Sequence, residues 1–525
     1  MQDSIDKFLL NPQNYQDPPE QVKLIETHIS KVYLCRSEVF KRKKALHLEF
    51  LDYHRLDQRY KACQDEVTLN RRLAPQTYLG VLPLYQTATG IAWQADSPEN
   101  KICEWLVHMQ RLPQEHMLDE RLRHQRKPDE TELANLIQVL CRFYEAVRLP
   151  DLALDSWLDD YWQHCHQNEL DINLAALSAE EKQSLSAISS RQKDFLFFHR
   201  DWFAGRLQKH LICDGHGDLK PEHVCLTKPP AIYDCVEFDR RYRSNDILDE
   251  MSFFALECEV LGYPEIGHRV LRGVMDEFDS DLLGLHFYRS YRAMVRAKVE
   301  GLKLQTAEPS EVLDKAKIVS TYMQLAARDA QQLDQPRLIM IGGLMGSGKT
   351  SLARKLAQRL GAVHLESDRV RQDIFSQHED TQAAFGQGLY TREQRQRVYL
   401  AMAQLSQASL QQGQTVIADA SFTLAENRQI LQDLAQKLHL RCEFIWCDCP
   451  AELAKQRIAQ RRSTEQSDSQ ARPELYDQQG QSMDALSPDE KAYVIDSSQP
   501  LQASIHLFQT EVQRRMQADQ ERRNS

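Results

Sequence analysis

A glycine-rich segment between an apolar run and a helical pattern constrains the fold of this chain more than any other feature. Residues 338–341 read Leu-Ile-Met-Ile, and residues 343–350 read Gly-Leu-Met-Gly-Ser-Gly-Lys-Thr. Residues 351–360 then continue with apolar positions at helical spacing. A strand, a tight glycine turn and a helix in this order are typical of a parallel sheet whose strands are connected by helices.

The rest of the C-terminal region repeats this alternation. Short β-rich runs at 338–342, 362–366, 415–419, 442–447 and 493–496 are separated by longer helical patterns. The pattern predicts an α/β domain, a parallel sheet with helices on both faces. Because 525 residues exceed what one hydrophobic core usually supports, and a polar stretch ends at Pro336, we predict two domains, 1–330 and 331–525.

The N-terminal region has a different order of elements. Residues 27–52 are strand-rich, a helix is predicted around 58–73, and most of 130–325 has helical composition. This order predicts an α+β domain with a small β-containing lobe and a larger, mainly helical lobe.

Composition restricts the class of protein. The 65 Lys and Arg against 76 Asp and Glu give a formal net charge of -11, which argues against nucleic acid as the main partner. No run approaches the roughly 18 apolar residues of a membrane span, and the first residues lack a secretory pattern. The 12 cysteines are interpreted as reduced thiols, and we expect a cytoplasmic protein without a membrane partner.

The glycine-rich segment satisfies G-x-x-x-x-G-K-[ST], the pattern that binds nucleotide phosphates. The glycines let backbone amides close around phosphate oxygens, Lys349 is expected at the β and γ phosphates, and Thr350 is expected to bind Mg²⁺. The predicted nucleotide-binding residues are Gly343, Gly346, Ser347, Gly348, Lys349, Thr350 and Ser351.

Carboxylates follow two of the predicted strands. Asp368 is our candidate general base for a hydroxyl acceptor, with Arg371 beside it to steer the acceptor or its charge. The alternative for Asp368 is an N-cap of the next helix, and both roles are compatible. Asp419 ends the third strand, where it is expected to hold the Mg²⁺ water shell or to contact the substrate.

Arginines on a later helix suit a lid. Arg457 and Arg461 lie one turn apart on one face, followed by Arg462. We assign Arg461 a catalytic role in neutralising charge on the transferred phosphoryl group. A solvated basic face is the alternative.

These motifs resemble the P-loop kinase family that includes polynucleotide kinase, gluconate kinase and zeta-toxin-like domains, particularly its AAA-like branch. The resemblance covers nearly all of 337–498, including Ser367-Asp368-x-x-Arg371 and Asp419-Ala-Ser-Phe. It implies ATP-dependent transfer of a phosphoryl group to a hydroxyl of a small molecule. The acceptor is expected to be chosen by residues 375–395 and 463–480.

A second pair of acids lies in the N-terminal region. Asp218 follows His216-Gly217, and Asp234 ends a short apolar run. Asp218 would accept a hydroxyl proton, and Asp234 would bind Mg²⁺ bridging nucleotide phosphates. A tight turn at His-Gly-Asp is the alternative.

Here the sequence resembles the aminoglycoside phosphotransferase family, two-lobed relatives of the protein kinases. The whole chain is similar to bacterial proteins that fuse such a domain to the P-loop kinase domain. Residues 26–30, 70–75, 109–113 and 236–240 also fit this pattern. The resemblance implies a lysine that holds the α and β phosphates, paired with Glu66. Lys41 and Lys43 share one strand face, so both remain candidates.

Two departures from that family bear on function. His223 occupies the position of a metal-binding asparagine. Mg²⁺ prefers oxygen ligands, whereas imidazole better suits Mn²⁺ or Zn²⁺, so Mn²⁺ is an alternative metal there. No G-x-G-x-x-G loop precedes Lys41, which leaves Thr27–Ser30 to cover the phosphates.

Together, the two candidate sites predict a kinase with two kinase-like modules. The alternative is a nucleotide-binding regulatory protein whose N-terminal module is weak or inactive.

Overall fold

The computed structural model describes residues 2–48, 51–149, 152–172, 176–304, 307–375, 391–462 and 473–524. The chain forms two compact units, each built from two segments. Unit 1 comprises 1–153 and 205–292, and unit 2 comprises 154–204 and 293–525. No helix within the described ranges has the length and apolar character needed to cross a membrane.

The strands occupy both units. In unit 1 they are β1 (Lys23–Glu26), β2 (Ser30–Leu34), β3 (Glu38–Lys43), β4 (His47–Leu48), β5 (Leu51–Asp52), β6 (Tyr78–Thr87), β7 (Gly90–Ala92), β8 (Lys101–Gln110), β9 (Ile212–Asp214), β10 (Val224–Cys225), β11 (Ala231–Ile232) and β12 (Ser244–Asp246). In unit 2 they are β13 (Arg337–Gly342), β14 (Val363–Glu366), β15 (Val416–Asp419), β16 (Arg441–Asp448) and β17 (Tyr493–Asp496).

The α-helices follow in chain order. The first nine are α1 (Gln2–Leu10), α2 (Leu56–Asn70), α3 (Leu118–Arg123), α4 (Glu130–Ala146), α5 (Leu154–Asp171), α6 (Ala179–Phe198), α7 (Arg200–Gln208), α8 (Ile247–Val260) and α9 (Pro264–Glu277). The others are α10 (Leu285–Leu304), α11 (Val312–Gln331), α12 (Lys349–Leu360), α13 (Ser367–Ile374), α14 (Arg392–Gln411), α15 (Ala425–Lys437), α16 (Ala451–Arg462), α17 (Pro473–Gln481) and α18 (Leu501–Asn524).

Unit 2 contains a five-stranded sheet in the order β14-β15-β13-β16-β17. All four neighbouring pairs are parallel, and every residue of β13 is buried, as expected for a central strand covered on both faces. Side chains of α13, α14 and α15 form a buried cluster on one face. Residues of α6, α12 and α18, including Phe197, Leu352 and Phe508, form the other cluster. The predicted parallel sheet with helices on both faces is confirmed.

Unit 1 contains a six-stranded antiparallel sheet in the order β1-β2-β3-β8-β6-β7. Helix α2 packs against β6 and β8. In the remainder, α9 packs on both α4 and α8, and two short ladders pair β9 with β12 and β10 with β11. This is a mixed α and β unit; a two-lobed protein-kinase-like fold stays a prediction.

The predicted boundary between residues 330 and 331 lies near the C-terminal end of α11, inside unit 2. The polar stretch that suggested it is largely helical, and Ala326 and Ala330 within it are buried. The division into domains 1–330 and 331–525 stays a prediction, because the two compact units describe how the chain packs and not where a family domain begins or ends.

Candidate active sites

The glycine-rich loop of unit 2 connects β13 to α12. Gly343, Gly346 and Gly348 have φ values of 150°, 75° and 84°, which side-chain-bearing residues rarely adopt. A Cβ on Gly346 would lie 2.5 Å from the carbonyl oxygen of Ala454, and one on Gly343 would lie 2.7 Å from that of Cys447. The loop therefore requires glycine for both conformation and space, and it ends at the N-terminus of α12, where backbone N–H groups favour an anion.

Two buried oxygens lie in this region. The hydroxyl of Ser347 and Oδ1 of Asp419 have no hydrogen-bond partner among the described residues, and both residues are 1% exposed. Oδ2 of Asp419 lies 3.3 Å from Nε2 of His364. Buried polar atoms normally have partners, so these oxygens fit a site that a ligand completes.

The donor set also fits Mg²⁺, which prefers oxygen ligands. Thr350, half-buried in the first turn of α12, supplies a hydroxyl, and Asp419 at the end of β15 supplies a carboxylate. Within the described ranges, no group of three or more His, Cys, Asp or Glu side chains is arranged to hold a metal alone. Thr350 and Asp419 are the candidate protein ligands of a bound Mg²⁺.

Asp368 lies in the first turn of α13, directly after β14. Its Oδ1 accepts a hydrogen bond of 2.6 Å from Nη1 of Arg371, and its side chain is 30% exposed. The residue at the N-cap is Glu366, so the alternative interpretation of Asp368 as the N-cap is wrong. The arginine orients a partly accessible carboxylate at the edge of the sheet where ligands of α/β proteins bind.

The other residues predicted for this site are distributed around the loop. Lys349 is half-buried at the start of α12, and Ser351 is exposed. Arg457 on α16 donates through Nη2 to the carbonyl oxygen of Ser497 at 3.0 Å. Arg461 lies on the same helix, but its side chain falls outside the described residues, as do 376–390 and 463–472 of the segments expected to choose the acceptor.

Sequence reasoning missed Gln479 on α17. Its Oε1 accepts a hydrogen bond of 2.8 Å from the backbone N–H of Met345, inside the glycine-rich loop. Tyr476 of the same helix packs in a cluster with Ala454 and Ile458 of α16. No local pattern identifies this glutamine, since the contact joins residues more than 130 positions apart.

In unit 1, β3 and α2 bring together the charges predicted for the N-terminal site. Nζ of Lys41 lies 2.9 Å from Oε1 of Glu66 and 2.7 Å from Oδ1 of Asp234. Burial alone would lower the pKa of Lys41, but Asp234 and Glu66 raise it well above the usual range. Burial would likewise raise the pKa of Asp234, but Lys41 and His223 lower it below the usual range. Both groups therefore stay charged near neutral pH.

Lys43 lies two residues further along the same face of β3. Its Nζ forms ion pairs with Glu66, at 2.5 Å, and with Glu237. Glu237 also accepts a hydrogen bond of 3.2 Å from the hydroxyl of Tyr53. Sequence reasoning missed Glu237 as a site residue; its position three residues after Asp234 was the available signal.

The loop that carries Asp218 is held by buried interactions. The backbone N–H groups of His216 and Gly217 donate to the carboxylate of Glu250, at 3.0 and 2.5 Å. Gly217 has a φ of 84°, and a Cβ there would lie 2.8 Å from the carbonyl oxygen of Tyr242. Burial lowers the pKa of His216 to about 4, so its ring is neutral near pH 7.

The loop brings Asp218 close to His223 and Asp234. Nδ1 of His223 lies 2.9 Å from the carbonyl oxygen of Asp218, and its Nε2 lies 3.5 Å from Oδ2 of Asp234. Lys220 lies 3.1 Å from Oδ2 of Asp218. The three predicted residues are thus adjacent, and the basic partner Lys220 was not foreseen as part of the site. A carboxylate beside an imidazole nitrogen is a donor set that suits Mn²⁺ better than Mg²⁺, which prefers oxygen ligands.

The turn between β1 and β2, Thr27–Ser30, is a hairpin closed by its own hydrogen bonds. The N–H of Thr27 donates to the carbonyl oxygen of Ser30 at 2.9 Å, and the N–H of Ser30 donates to the Thr27 hydroxyl at 3.0 Å.

Two acids at the start of α8 have buried arginine partners. Asp246 caps α8 and pairs with Arg206, and Asp249 forms a two-bond ion pair with Arg292. Both acids are fully buried, so these contacts stabilise the fold.

Comparison with known proteins assigns part of the chain. Residues 338–486 match a family model described as an AAA domain, which confirms the P-loop domain in this segment. Uncharacterized proteins of Mycobacterium tuberculosis (strain H37Rv) and Mycobacterium bovis are 29% identical over 446 residues, covering 83% of this chain and 85% of theirs.

Solved structures of kinases are also similar to part of the chain. A sugar kinase from Janibacter sp. is 24% identical and covers 33% of this chain and 91% of its own, with a TM-score of 0.27. A gluconokinase from Sinorhizobium meliloti is 17% identical, with coverage of 34% and 94% and a TM-score of 0.28.

Proposed function

We propose that unit 2 transfers the γ-phosphate of ATP to a hydroxyl group of a small molecule. The observation that carries this proposal is the glycine-rich loop itself. Its left-handed glycines, the start of α12 and the unpartnered buried oxygens of Ser347 and Asp419 together suit a nucleotide phosphate with its cation. A partly exposed carboxylate, Asp368, lies at the same edge of the sheet and supplies a base.

Each residue has a separate task in this reaction. Loop amides and Lys349 hold the β and γ phosphates. Asp368 takes the proton of the acceptor hydroxyl as its oxygen bonds to the γ-phosphorus, and the bond from that phosphorus to the β-phosphate oxygen breaks to release ADP. Arg371 keeps the Asp368 carboxylate in one orientation. Arg461 neutralises charge on the transferred group, as proposed from its place on α16. Thr350 and Asp419 would hold Mg²⁺, which would supply positive charge at the phosphate oxygens.

The test is ATP consumption by the intact protein with sugars, polyols, nucleosides and aminoglycosides as acceptors. We expect one acceptor class to stimulate turnover, Lys349→Ala to abolish that turnover, and Asp368→Asn to reduce it at least about a hundredfold, the usual scale of general-base catalysis. Asp373→Asn is the matched control, because Asp373 is an exposed acid on the same helix. Equal loss in both aspartate variants would refute the role of Asp368.

A second proposal concerns unit 1, and the ion pairs of Lys41 with Glu66 and Asp234 support it. In this proposal Lys41 holds nucleotide phosphates, Asp234 and His223 provide the metal-binding groups, and Asp218 accepts a hydroxyl proton. We expect acceptor-dependent turnover that survives Lys349→Ala and disappears with Asp218→Asn, measured with Mg²⁺ and with Mn²⁺. If nucleotide binds but turnover is absent under both cations, unit 1 is a nucleotide-binding regulatory module.

A further inference from the structure

The second lysine of β3 is placed differently from the first. The Lys43 side chain is fully buried, and its ammonium lies between Glu66 and Glu237, whose side chains are 0% and 6% exposed. The ammonium also lies 5.6 Å from the centre of the Tyr53 ring. Burial alone would lower the pKa of Lys43, but Glu237 and Glu66 raise it above the usual range, so this buried group stays charged.

Lys41, in contrast, reaches the accessible side of the same cluster. Its side chain is 12% exposed, and its partner Asp234 is 42% exposed. A phosphate can approach Lys41 beside Asp234 without displacing a buried ion pair. To reach Lys43, the same phosphate would have to displace two buried carboxylates, at a large desolvation cost.

We infer that Lys43 is not a phosphate ligand but a positioning residue, which balances the charge of Glu237 and so leaves Glu66 free to present Lys41 to the nucleotide. Glu66 divides its oxygens between the two lysines, Oε1 to Lys41 and Oε2 to Lys43. Glu237 completes the arrangement by balancing the charge of Lys43. This inference rests on the proposed nucleotide site of unit 1.

The charge balance gives the consequence of removing Lys43. Glu66 and Glu237 would then be two buried carboxylates with Lys41 as the nearest ammonium. Leaving a buried charge without its partner is strongly unfavourable, so Lys41 would be drawn toward these acids and away from the phosphates. Removing Glu237 together with Lys43 takes away one charge of each sign and leaves the Lys41–Glu66 pair intact.

The experiment uses the full-length protein carrying Lys349→Ala, so that the glycine-rich loop of unit 2 contributes little to nucleotide binding. Isothermal titration calorimetry measures the Kd for ATP with Mn²⁺ or Mg²⁺. The ATP binding that the Lys349→Ala protein loses when Lys41→Met is added is assigned to the site in unit 1. The variants compared in this background are Lys43→Met and the double variant Lys43→Met/Glu237→Gln, with thermal unfolding recorded for each.

Lys31→Met is the matched control, because Lys31 on the neighbouring strand β2 also pairs with an acid, Asp6, at 2.7 Å. We expect Lys43→Met to raise the Kd at least about tenfold, the scale of one misplaced charge-assisted hydrogen bond. The double variant should return the Kd to within about threefold of the Lys349→Ala protein, and Lys31→Met should leave it unchanged.

Three results would overturn the inference. A Lys43→Met protein that unfolds at a lower temperature but binds ATP normally would assign Lys43 a structural role only. A double variant as weak as Lys43→Met would refute the charge-balance argument and favour direct phosphate contact. If Lys41→Met changes nothing in the Lys349→Ala protein, the nucleotide site of unit 1 itself is refuted, and the positioning role is refuted with it.

Discussion

Gly346 in the glycine-rich loop allows backbone strain and steric contact to be measured separately. Gly346 and Gly348 have similar positive φ values, 75° and 84°. A Cβ on Gly346 would lie 2.5 Å from the carbonyl oxygen of Ala454 and 3.0 Å from Cγ1 of Ile458, both on α16. A Cβ on Gly348 would lie 3.4 Å from Nη1 of Arg457, the end of a flexible side chain, and 3.9 Å from Cβ of Ser497, an ordinary contact distance. We therefore expect Gly346→Ala to be the more destabilising change.

The size of the difference follows from these contacts. An alanine in the left-handed region costs roughly 1–2 kcal/mol, and this term applies to both variants. The reduced flexibility of the unfolded chain, about 0.4–1 kcal/mol in the opposite direction, also applies to both. Only Gly346→Ala forces α16 away from the loop, and such overpacking costs about 1–3 kcal/mol more.

The assay is thermal unfolding of the full-length protein by differential scanning calorimetry. The transition to follow is the one whose midpoint temperature rises when ATP and Mg²⁺ are added to the parent protein. Because unit 2 is large, each kcal/mol lowers the unfolding temperature by about 2 °C, so a difference of about 1–3 kcal/mol corresponds to about 2–6 °C. Gly346→Ala should therefore unfold several degrees below Gly348→Ala. If the two variants unfold within about 1 °C of each other, then α16 yields freely to a Cβ, and steric contact does not explain the glycine.

Three further predictions concern buried polar contacts of unit 2. Burial raises the pKa of Asp194 from 3.8 to about 7, so ionising this carboxyl group destabilises the folded protein as pH rises from about 4 to about 7. The stability of Asp194→Asn relative to the parent should therefore increase between pH 5 and pH 8, by about 3 kcal/mol at most in urea unfolding. A difference that stays constant with pH would contradict this. Gln479→Ala removes the acceptor of the Met345 N–H and should weaken ATP binding at least about threefold by calorimetry, whereas Gln479→Glu should retain the contact. His364→Ala removes the partner of Oδ2 of Asp419 and should destabilise the protein by about 1–3 kcal/mol, an effect that Mg²⁺ with ATP should partly reverse; no change in unfolding would exclude this contact.

The sequence predicted those features that depend on neighbouring residues. The five strands of the C-terminal sheet and the glycine turn are local patterns, because β-rich runs and left-handed glycines occur where the chain itself requires them. Asp368 was correctly predicted to follow a strand, but its alternative role as an N-cap was wrong, since the N-cap of α13 is Glu366, two residues earlier.

Contacts between distant segments were not predictable in this way. Strand periodicity placed Lys41 and Lys43 on one face and could not separate them, whereas their partners Asp234 and Glu237 lie nearly 200 residues away. Gln479 has no sequence pattern of its own, because its contact is to a backbone N–H, which every residue except proline carries.

The discontinuous chain path of unit 2 has a consequence for its biosynthesis. Helix α6 supplies Phe197 and Phe198 to the buried cluster on one face of the C-terminal sheet. On the ribosome these aromatic side chains emerge before the strands that cover them, and residues 205–336 must be added before β13 is complete. During this interval the apolar face of α6 is exposed to solvent, and exposed apolar surface promotes aggregation and binds holdase chaperones. We therefore expect the rate of translation to affect the yield of folded protein.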